Sequence, residues 1–243
     1  MTPAGRLGVG IVGAGRVGPV LGAALAGAGH AVVGLAGVSD ATRDRADALL
    51  PGVPHLDTRL VVERSELVLL AVPDAELAAL VQGLADVGGW VPGQLVVHTA
   101  PGRGVEVLRP AAAAGAIPLA LSPAMAFTGT SMDLTRLKEA WCAVTAPPAV
   151  LPIGQALAVE MGCEPIVVAE GDRAAWAAAL AAVVDPLEGA VRRGAGLLAP
   201  LGIDQPDRVL GPVARSALER ALGAARSAPP LAEPVEADRE DAG

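Results

Sequence analysis

Tyrosine is absent from this 243-residue chain, phenylalanine occurs once and tryptophan three times. With aromatics at 2%, the chain lacks the platforms on which single-stranded nucleic acid stacks. Cationic charge is scarce as well: 18 Lys and Arg stand against 26 Asp and Glu, a net charge of −8. Polyanion binding needs clustered Lys and Arg, so nucleic acid is not expected as a partner. Cysteine is limited to Cys142 and Cys163, which have no metal-ligand spacing, and no disulfide between them can be argued from sequence. Buried free thiols in a reducing cytosol are the expectation, with a cytoplasmic location and no metal site. The N-terminus carries no signal-peptide pattern. Three uncharged stretches, Val17–Val38, Pro110–Met132 and Ala140–Val159, are long enough by count to span a bilayer. Each is broken by Gly or Pro and dominated by Ala and Gly, so no membrane span or membrane partner is expected.

What is present in quantity is small and aliphatic. Hydrophobic residues make up 52% of the chain, with 30 glycines, a composition suited to close helix-on-sheet packing in an α/β layer fold. Apolar runs at Leu7–Val12, Ala31–Gly37, Leu67–Val72, Gln94–Thr99, Ala116–Leu121, Trp141–Val144 and Pro165–Val168 read as strands. Between them, helices are expected over Arg16–Ala28, Ala41–Leu50 (capped by Asp40), Asp74–Leu84 (capped by Asp74), Val105–Ala114 and Val150–Met161. Helices that alternate with continuously apolar strands indicate a Rossmann-type, doubly wound, mostly parallel sheet. The pattern changes at Gly171. Asp172–Leu201 is Ala-rich and helical with Pro186 inside it, and residues 206–225 read as one amphipathic helix. The expected domains are therefore 1–170, an α/β dinucleotide-binding unit, and 171–226, a small all-helical region. Residues 227–243 hold half of the net charge in Glu233, Glu236, Asp238, Glu240 and Asp241 against Arg239, and read as a disordered acidic tail.

The chemistry starts at Gly13-Ala14-Gly15-Arg16-Val17-Gly18. A G-x-G-x-x-G pattern alone is weak, but this one directly follows a strand and opens a helix. Gly13 permits the tight turn, Gly15 lets the backbone approach a pyrophosphate, and Gly18 lets helix and strand pack closely. The helix N-terminus offers unpaired N–H groups to the phosphates. An NAD site usually carries an acid at the end of the second strand to accept from the ribose 2′-OH. Leu35-Ala36-Gly37-Val38-Ser39 has none, while Ser39 and Arg43, with Arg16, suit a 2′-phosphate. NADP is therefore preferred, and Asp40 keeps NAD open. The plain alternative is that Arg43 and Arg45 form the solvated face of a helix. Ala71-Val72-Pro73 ends the third strand at the central crevice and is expected to touch cofactor, as is Thr99 after the fourth.

The glycine loop, Leu70-Ala71-Val72-Pro73-Asp74, His98-Thr99, the run Ser122 to Gly129, and Gly211-Pro212-Val213-Ala214-Arg215 together resemble the actinobacterial proteins that join a Rossmann-like domain to a DUF2520 domain. The resemblance covers roughly residues 7–225. That family is similar to the 6-phosphogluconate dehydrogenase-like superfamily, which includes β-hydroxyacid dehydrogenases, pyrroline-carboxylate reductases and imine reductases. The resemblance implies an NADP-binding domain followed by a helical domain, with a homodimer building the site between them. It names no substrate. The expected activity is hydride transfer between a nicotinamide cofactor and a small carbonyl, hydroxy acid or imine. The alternative is a catalytically reduced NAD(P)-binding sensor or partner subunit.

Departures from the family pattern favour that alternative. His98-Thr99-Ala100-Pro101 stands where the family has His-Thr-Ser-Gly, and Ser122-Pro123 where it has His-Pro. Trp176-Ala177 and Asp185-Pro186 fall where Tyr-His and Asn-His are usual. Hydride transfer needs a proton partner for the substrate oxygen or nitrogen. His98, at a strand end on the cofactor side, is the leading candidate, against the plain reading of a satisfied strand-end histidine. Asp185, on the first interdomain helix, is the second candidate, against a helix break with the acid in water. Ser122 is a candidate for orienting substrate. His30 and His55 read as structural or exposed.

Overall fold

A computed structural model describes residues 6–37 and 39–227. The expected acidic tail lies outside these residues except for Ser227. The chain divides into two compact units, Met1–Ala182 and Val183–Gly243.

The first unit is built on seven strands: β1 (Gly8–Val12), β2 (Ala31–Ala36), β3 (Leu67–Leu70), β4 (Leu95–His98), β5 (Ile117–Pro123), β6 (Trp141–Thr145) and β7 (Glu164–Val167). They form one sheet in the order β2-β1-β3-β4-β5-β6-β7. Neighbours are parallel except β5 and β6, which pair antiparallel through Ser122 opposite Ala143 and Ala120 opposite Thr145. The connecting helices are α1 (Gly18–Gly27), α2 (Asp40–Leu49), α3 (Thr58–Glu63), α4 (Asp74–Asp86), α5 (Arg109–Ala113), α6 (Met132–Leu137) and α7 (Leu151–Glu160).

Continuously apolar strands bury both faces because alternate side chains point opposite ways. On β3, Leu67 and Leu69 join one core with Leu21 of α1 and Leu157 of α7. Val68 and Leu70 join the other with Val61 of α3 and Val81 of α4. The expected doubly wound, mostly parallel sheet is thus present.

Several boundaries differ from expectation for local reasons. The helix after the glycine loop starts at Gly18, so Arg16 and Val17 precede it. Ser39, in extended backbone, occupies the N-cap of α2, and Asp40 is its first residue. Pro73 takes the N-cap of α4, and Asp74 lies in its first turn. The single helix expected over 105–114 is a 3₁₀ turn, Val105–Leu108, followed by α5. The sequence pattern had shown neither α3 nor α6. Each has six residues, less than two turns and too short for a periodic signal. Asp57 starts α3 by accepting the Leu60 N–H at 2.9 Å.

Helix α8 (Arg173–Leu198) and α9 (Pro206–Ser227) complete the chain. Pro186 and Pro212 lie inside them, and neither proline ends its helix. Glu170–Leu201 is long and apolar enough to cross a membrane by length and composition alone. In the second unit, no described residue is buried. A groove of about 480 Å³ there is lined by Val183, Leu187, Val191, Leu210, Val213 and Leu218, among others.

Candidate functional site

β1 lies between β2 and β3, so the chain leaves these central strands in opposite directions. Ligands of open α/β sheets bind in the crevice this creates, outside the carboxyl ends of the strands. The glycine loop fills one wall of it. Gly13 has φ 113°, a region L side chains avoid. A Cβ there would stand 2.4 Å from the Ala71 carbonyl oxygen. The turn is locked to both neighbouring strands: the Gly13 N–H donates to Ala36 O at 3.0 Å and the Ala71 N–H to Val12 O at 2.8 Å. A Cβ on Gly18 would stand 2.1 Å from the Gly13 oxygen, so this glycine seats the helix against the loop.

Gly15 differs from both. A Cβ there would meet no atom within 4 Å. Its missing side chain therefore leaves space toward the crevice and relieves no internal clash. Beside it is a cavity of about 340 Å³ lined by Val12, Gly13, Ala14, Gly15, Gly37, Thr58, Ala71, Val72, Pro73, Glu76 and Leu80. No side chain caps the start of α1, which leaves its first N–H groups for a ligand.

The cavity brings together Gly13, Ala14, Gly15, Ala71, Val72 and Pro73 from the expected set. It adds Gly37, Thr58, Glu76 and Leu80, which sequence reasoning missed. Gly37 follows β2 with φ 76° and carried a turn signal. Thr58 lies on the short α3, and Glu76 on the expected helix α4, where nothing in the sequence sets its side chain apart from the solvated face. Arg16, Val17, Gly18, Ser39, Arg43 and Thr99 do not line this cavity. The Ser39 N–H donates to Thr42 Oγ1 at 2.9 Å, inside the start of α2. Arg43 spends its guanidinium on His55 Nδ1 at 3.2 Å and Asp40 at 3.7 Å. The Thr99 N–H donates to Leu70 O at 3.2 Å, tying the β4 loop to β3.

The glycine turn is thus open-sided and sits at a topological switch point of the sheet. A family model for a Rossmann-like domain matches residues 2–123, half of the chain, and one for DUF2520, a domain of unknown function, matches residues 140–242. The chain belongs to the Rossmann-like, DUF2520 family. No curated protein matches it in sequence. Solved structures share its fold. A Bacteroides fragilis protein named as a candidate NADP oxidoreductase has a TM-score of 0.72 at 17% identity, over 88% of this chain and 80% of that one. An imine reductase from Myxococcus stipitatus in complex with NADP+ has a TM-score of 0.62 at 20% identity, over 90% and 77%. The Mycobacterium tuberculosis 3-hydroxyisobutyrate dehydrogenase with L-serine gives 0.60 at 19% identity, over 85% and 71%. At 17–20% identity, the likeness to these three is one of fold.

In this DUF2520 family member, the remaining candidates lie at the ends of β4 and β5 and on α8. His98 is fully buried. Its Nε2–H donates to Gly104 O at 2.8 Å, and its Nδ1 accepts the Ala100 N–H at 3.2 Å. Both ring nitrogens are thus used within the loop that follows β4. Burial pushes its pKa down to about 4; the bond to Gly104 opposes this, and Arg173 and Arg103 add to it. At neutral pH the ring is neutral, and it fixes the loop. Ser122 is buried at the end of β5. Asp185 is exposed on α8, in the second unit.

Sequence reasoning missed Arg173, the first residue of α8. It is 1% exposed. Its Nε–H donates to Thr145 Oγ1 at 2.7 Å, and its Nη2 donates to Ala120 O at 2.7 Å and Ala143 O at 3.2 Å. Its guanidinium thus fastens α8 to β5 and β6. Nη1 has no partner, and neither does the buried Trp176 Nε1. Burial lowers the Arg173 pKa. Cys142 and Cys163 are both free and buried. The hydrogen bond with Cys163, and then burial, push the Cys142 thiol well up.

Proposed function

We propose that the chain is an NADP-dependent oxidoreductase, with NAD as the other possible cofactor, that moves a hydride between the nicotinamide and a small carbonyl, hydroxy acid or imine. The observation that carries this reading is the space over Gly15 at the switch point, where a dinucleotide pyrophosphate needs close backbone approach. The residues present fit such a group. Uncapped N–H groups at the start of α1 suit its phosphates, and Ala71-Val72-Pro73 walls the cavity with small apolar surface. When bound, the nicotinamide supplies the hydride chemistry. The protein's share is to bind, orient and exclude water.

His98 contributes by holding the loop from Thr99 to Gly104 in one shape. With both nitrogens engaged and a pKa near 4, it is a poor proton donor at neutral pH. Ser122 and Asp185 remain as candidates for orienting substrate and handling its proton. The same observation favours the second reading, a catalytically reduced NAD(P)-binding sensor or partner subunit. Titration with NADPH and NADH, followed by nicotinamide fluorescence, tests both. Binding of neither defeats both readings. Binding with turnover on a panel of small carbonyls, hydroxy acids and imines supports the enzyme, and binding without turnover supports the sensor.

A homodimer through the helical region, residues 171–226, belongs to the same proposal. Helices that bury nothing from residue 183 onward among the described residues are marginal alone and need a covering surface. Leu197, Leu201 and Val213 are 76%, 72% and 61% exposed. A monomer by light scattering at micromolar concentration would remove the dimer. Two buried, unpaired thiols suit a reducing cytoplasm as the location.

A further inference from the structure

Arg43 is the arginine that the sequence points to for a 2′-phosphate, but it is half-exposed and already engaged by His55 and Asp40. Arg45 lies two residues further along α2 and is partly buried. It makes no ion pair and no side-chain hydrogen bond among the described residues. Its guanidinium donors are therefore left to pair with an anion.

The surroundings of Arg45 are built to admit it. Gly129 has φ 78°. A Cβ there would stand 2.6 Å from Arg45 Cδ and 3.2 Å from Arg16 Cα. Only a glycine lets Arg45, the glycine loop and the segment after β5 come this close. That segment is held from behind. The buried Asp133 carboxylate accepts from the Thr128 N–H and the Gly129 N–H, both at 2.8 Å, and from Thr128 Oγ1 at 2.9 Å. The Ser131 hydroxyl makes no hydrogen bond among the described residues, while Thr130 Oγ1 shares one with Thr128 Oγ1 at 3.0 Å. A cavity of about 390 Å³ is lined by Arg45, Gly129, Thr130, Ser131, Ala48 and Leu49, with exposed Asp44 also on its wall. The cavity adjoins Arg16 of the phosphate loop and carries one partly buried cation and two hydroxyls, the donor set for a phosphate.

We propose that Arg45, with Arg16 and the hydroxyls of Thr130 and Ser131, forms the subsite for the 2′-phosphate of NADP, and so sets preference for NADP over NAD. The inference rests on the dinucleotide reading above and deepens it. Ser39 is the N-cap that starts α2, the helix that carries Arg45. Asp44 penalises a phosphate on its own side and leaves the side next to Gly129 and Arg16.

The test is a fluorescence titration of the full chain, as wild type, Arg45→Ala, Arg45→Lys and Arg43→Ala, with NADPH and with NADH. The expected result is a loss of about tenfold to a hundredfold in NADPH affinity for Arg45→Ala, the range for one charge-assisted contact. NADH binding should stay within about twofold, and Arg45→Lys should recover part of the loss. Retained NADH binding also shows that the variant is folded. The proposal is overturned if Arg43→Ala removes the preference and Arg45→Ala keeps it. Equal loss for both nucleotides overturns it too, by assigning Arg45 to the pyrophosphate. Inorganic phosphate separates a free-anion site from a cofactor site: it should compete with NADPH in the wild type, and phosphate that binds without displacing NADPH overturns the proposal. Wild type that binds NADH but does not prefer NADPH sinks this inference and spares the dinucleotide reading. Wild type that binds neither sinks both.

Discussion

The carboxyl edge of the sheet is made in two ways. At β1, β2 and β3 the chain turns on glycine. Gly13 and Gly18 are needed because other atoms occupy the place of a side chain, whereas the place of a side chain at Gly15 is empty. Few side-chain polar groups are used, and the crevice stays open. At β4, β5 and β6 polar side chains turn inward and are spent on the protein's own backbone. His98 closes the loop after β4 on itself, and Arg173 fastens α8 across β5 and β6. The first region leaves an open cavity beside the glycine loop. The second is preorganised for rigidity, and proton transfer there needs a group other than His98. The chain thus leaves one half of this edge open and closes the other on itself.

The comparison breaks if the glycine positions prove interchangeable. Gly18→Ala would place a Cβ 2.1 Å from the Gly13 oxygen and 3.0 Å from Ile11. Ile11 is held in the core and Gly13 is tied to Ala36, so the clash cannot relax cheaply. We expect a loss on the order of 3 kcal/mol or more in urea unfolding. A midpoint equal to wild type would show that the loop is not locked. Arg173→Ala should be nearly as severe, about 3 kcal/mol. It strands Thr145, Ala120 and Ala143 without their donor and leaves a cavity. Arg173→Met fills the volume and removes a buried charge that makes no salt bridge among the described residues, with the nearby Glu170 charge to offset its burial in part, so it should cost clearly less. Equal losses would mean that the hydrogen bonds, and not packing, carry the whole effect.

The rigid half should also show itself through pH. His98 has a folded pKa of about 4, below the roughly 6.5 of an unfolded histidine. Its contribution is complete above pH ~6.5 and is lost as pH falls toward 4, because the unfolded chain takes up the proton first. The full loss is on the order of 3 kcal/mol. His98→Gln should flatten this window when urea midpoints are compared across pH. An unchanged slope would remove the claim that the ring is held neutral. Asp133 contributes separately. Burial raises its pKa, but hydrogen bonds from Gly129, Thr128 and Arg136 together hold it below the ordinary carboxylate value. Its contribution is present above the normal aspartate range and fades as pH falls through and below that range.

The open half was largely legible in the sequence. The glycine spacing, the strand before it and the small residues after β3 each have a backbone cause that survives in one dimension. The extent of the sheet was legible too, because two-sided burial makes apolar runs. Other features depended on partners far away in sequence. The antiparallel turn of β6 leaves no trace in Trp141–Thr145, since an apolar run has no direction. Arg173 looked like one cation in an Ala-rich helix; only the folded chain brings it to Thr145, 28 residues away, and Ala120, 53 residues away. His98 was found by its place at a strand end, but its role is set by the Gly104 carbonyl, which no motif announces. On α2, helical periodicity alone could not separate Arg43 from Arg45, whereas the contact with Gly129 does.

The smallest expected change in stability is also the sharpest test of the open half. Gly15→Ala adds one methyl group where no atom lies within 4 Å, and Gly15 is not among the glycines with positive φ. Neither clash nor backbone strain follows, so the unfolding midpoint should stay within about 0.5 kcal/mol of wild type. The same methyl group projects into the space assigned to the pyrophosphate. Affinity for NADPH and NADH should therefore fall together, by tenfold or more, about 1.4 kcal/mol or above. A joint loss with an unchanged fold ties the space over Gly15 to phosphates that both nucleotides share. It also separates this position from Arg45, where only NADPH should suffer. Unchanged affinity would mean that the dinucleotide, if bound at all, does not approach the loop at Gly15, and the contrast between an open binding half and a closed reactive half would lose its foundation.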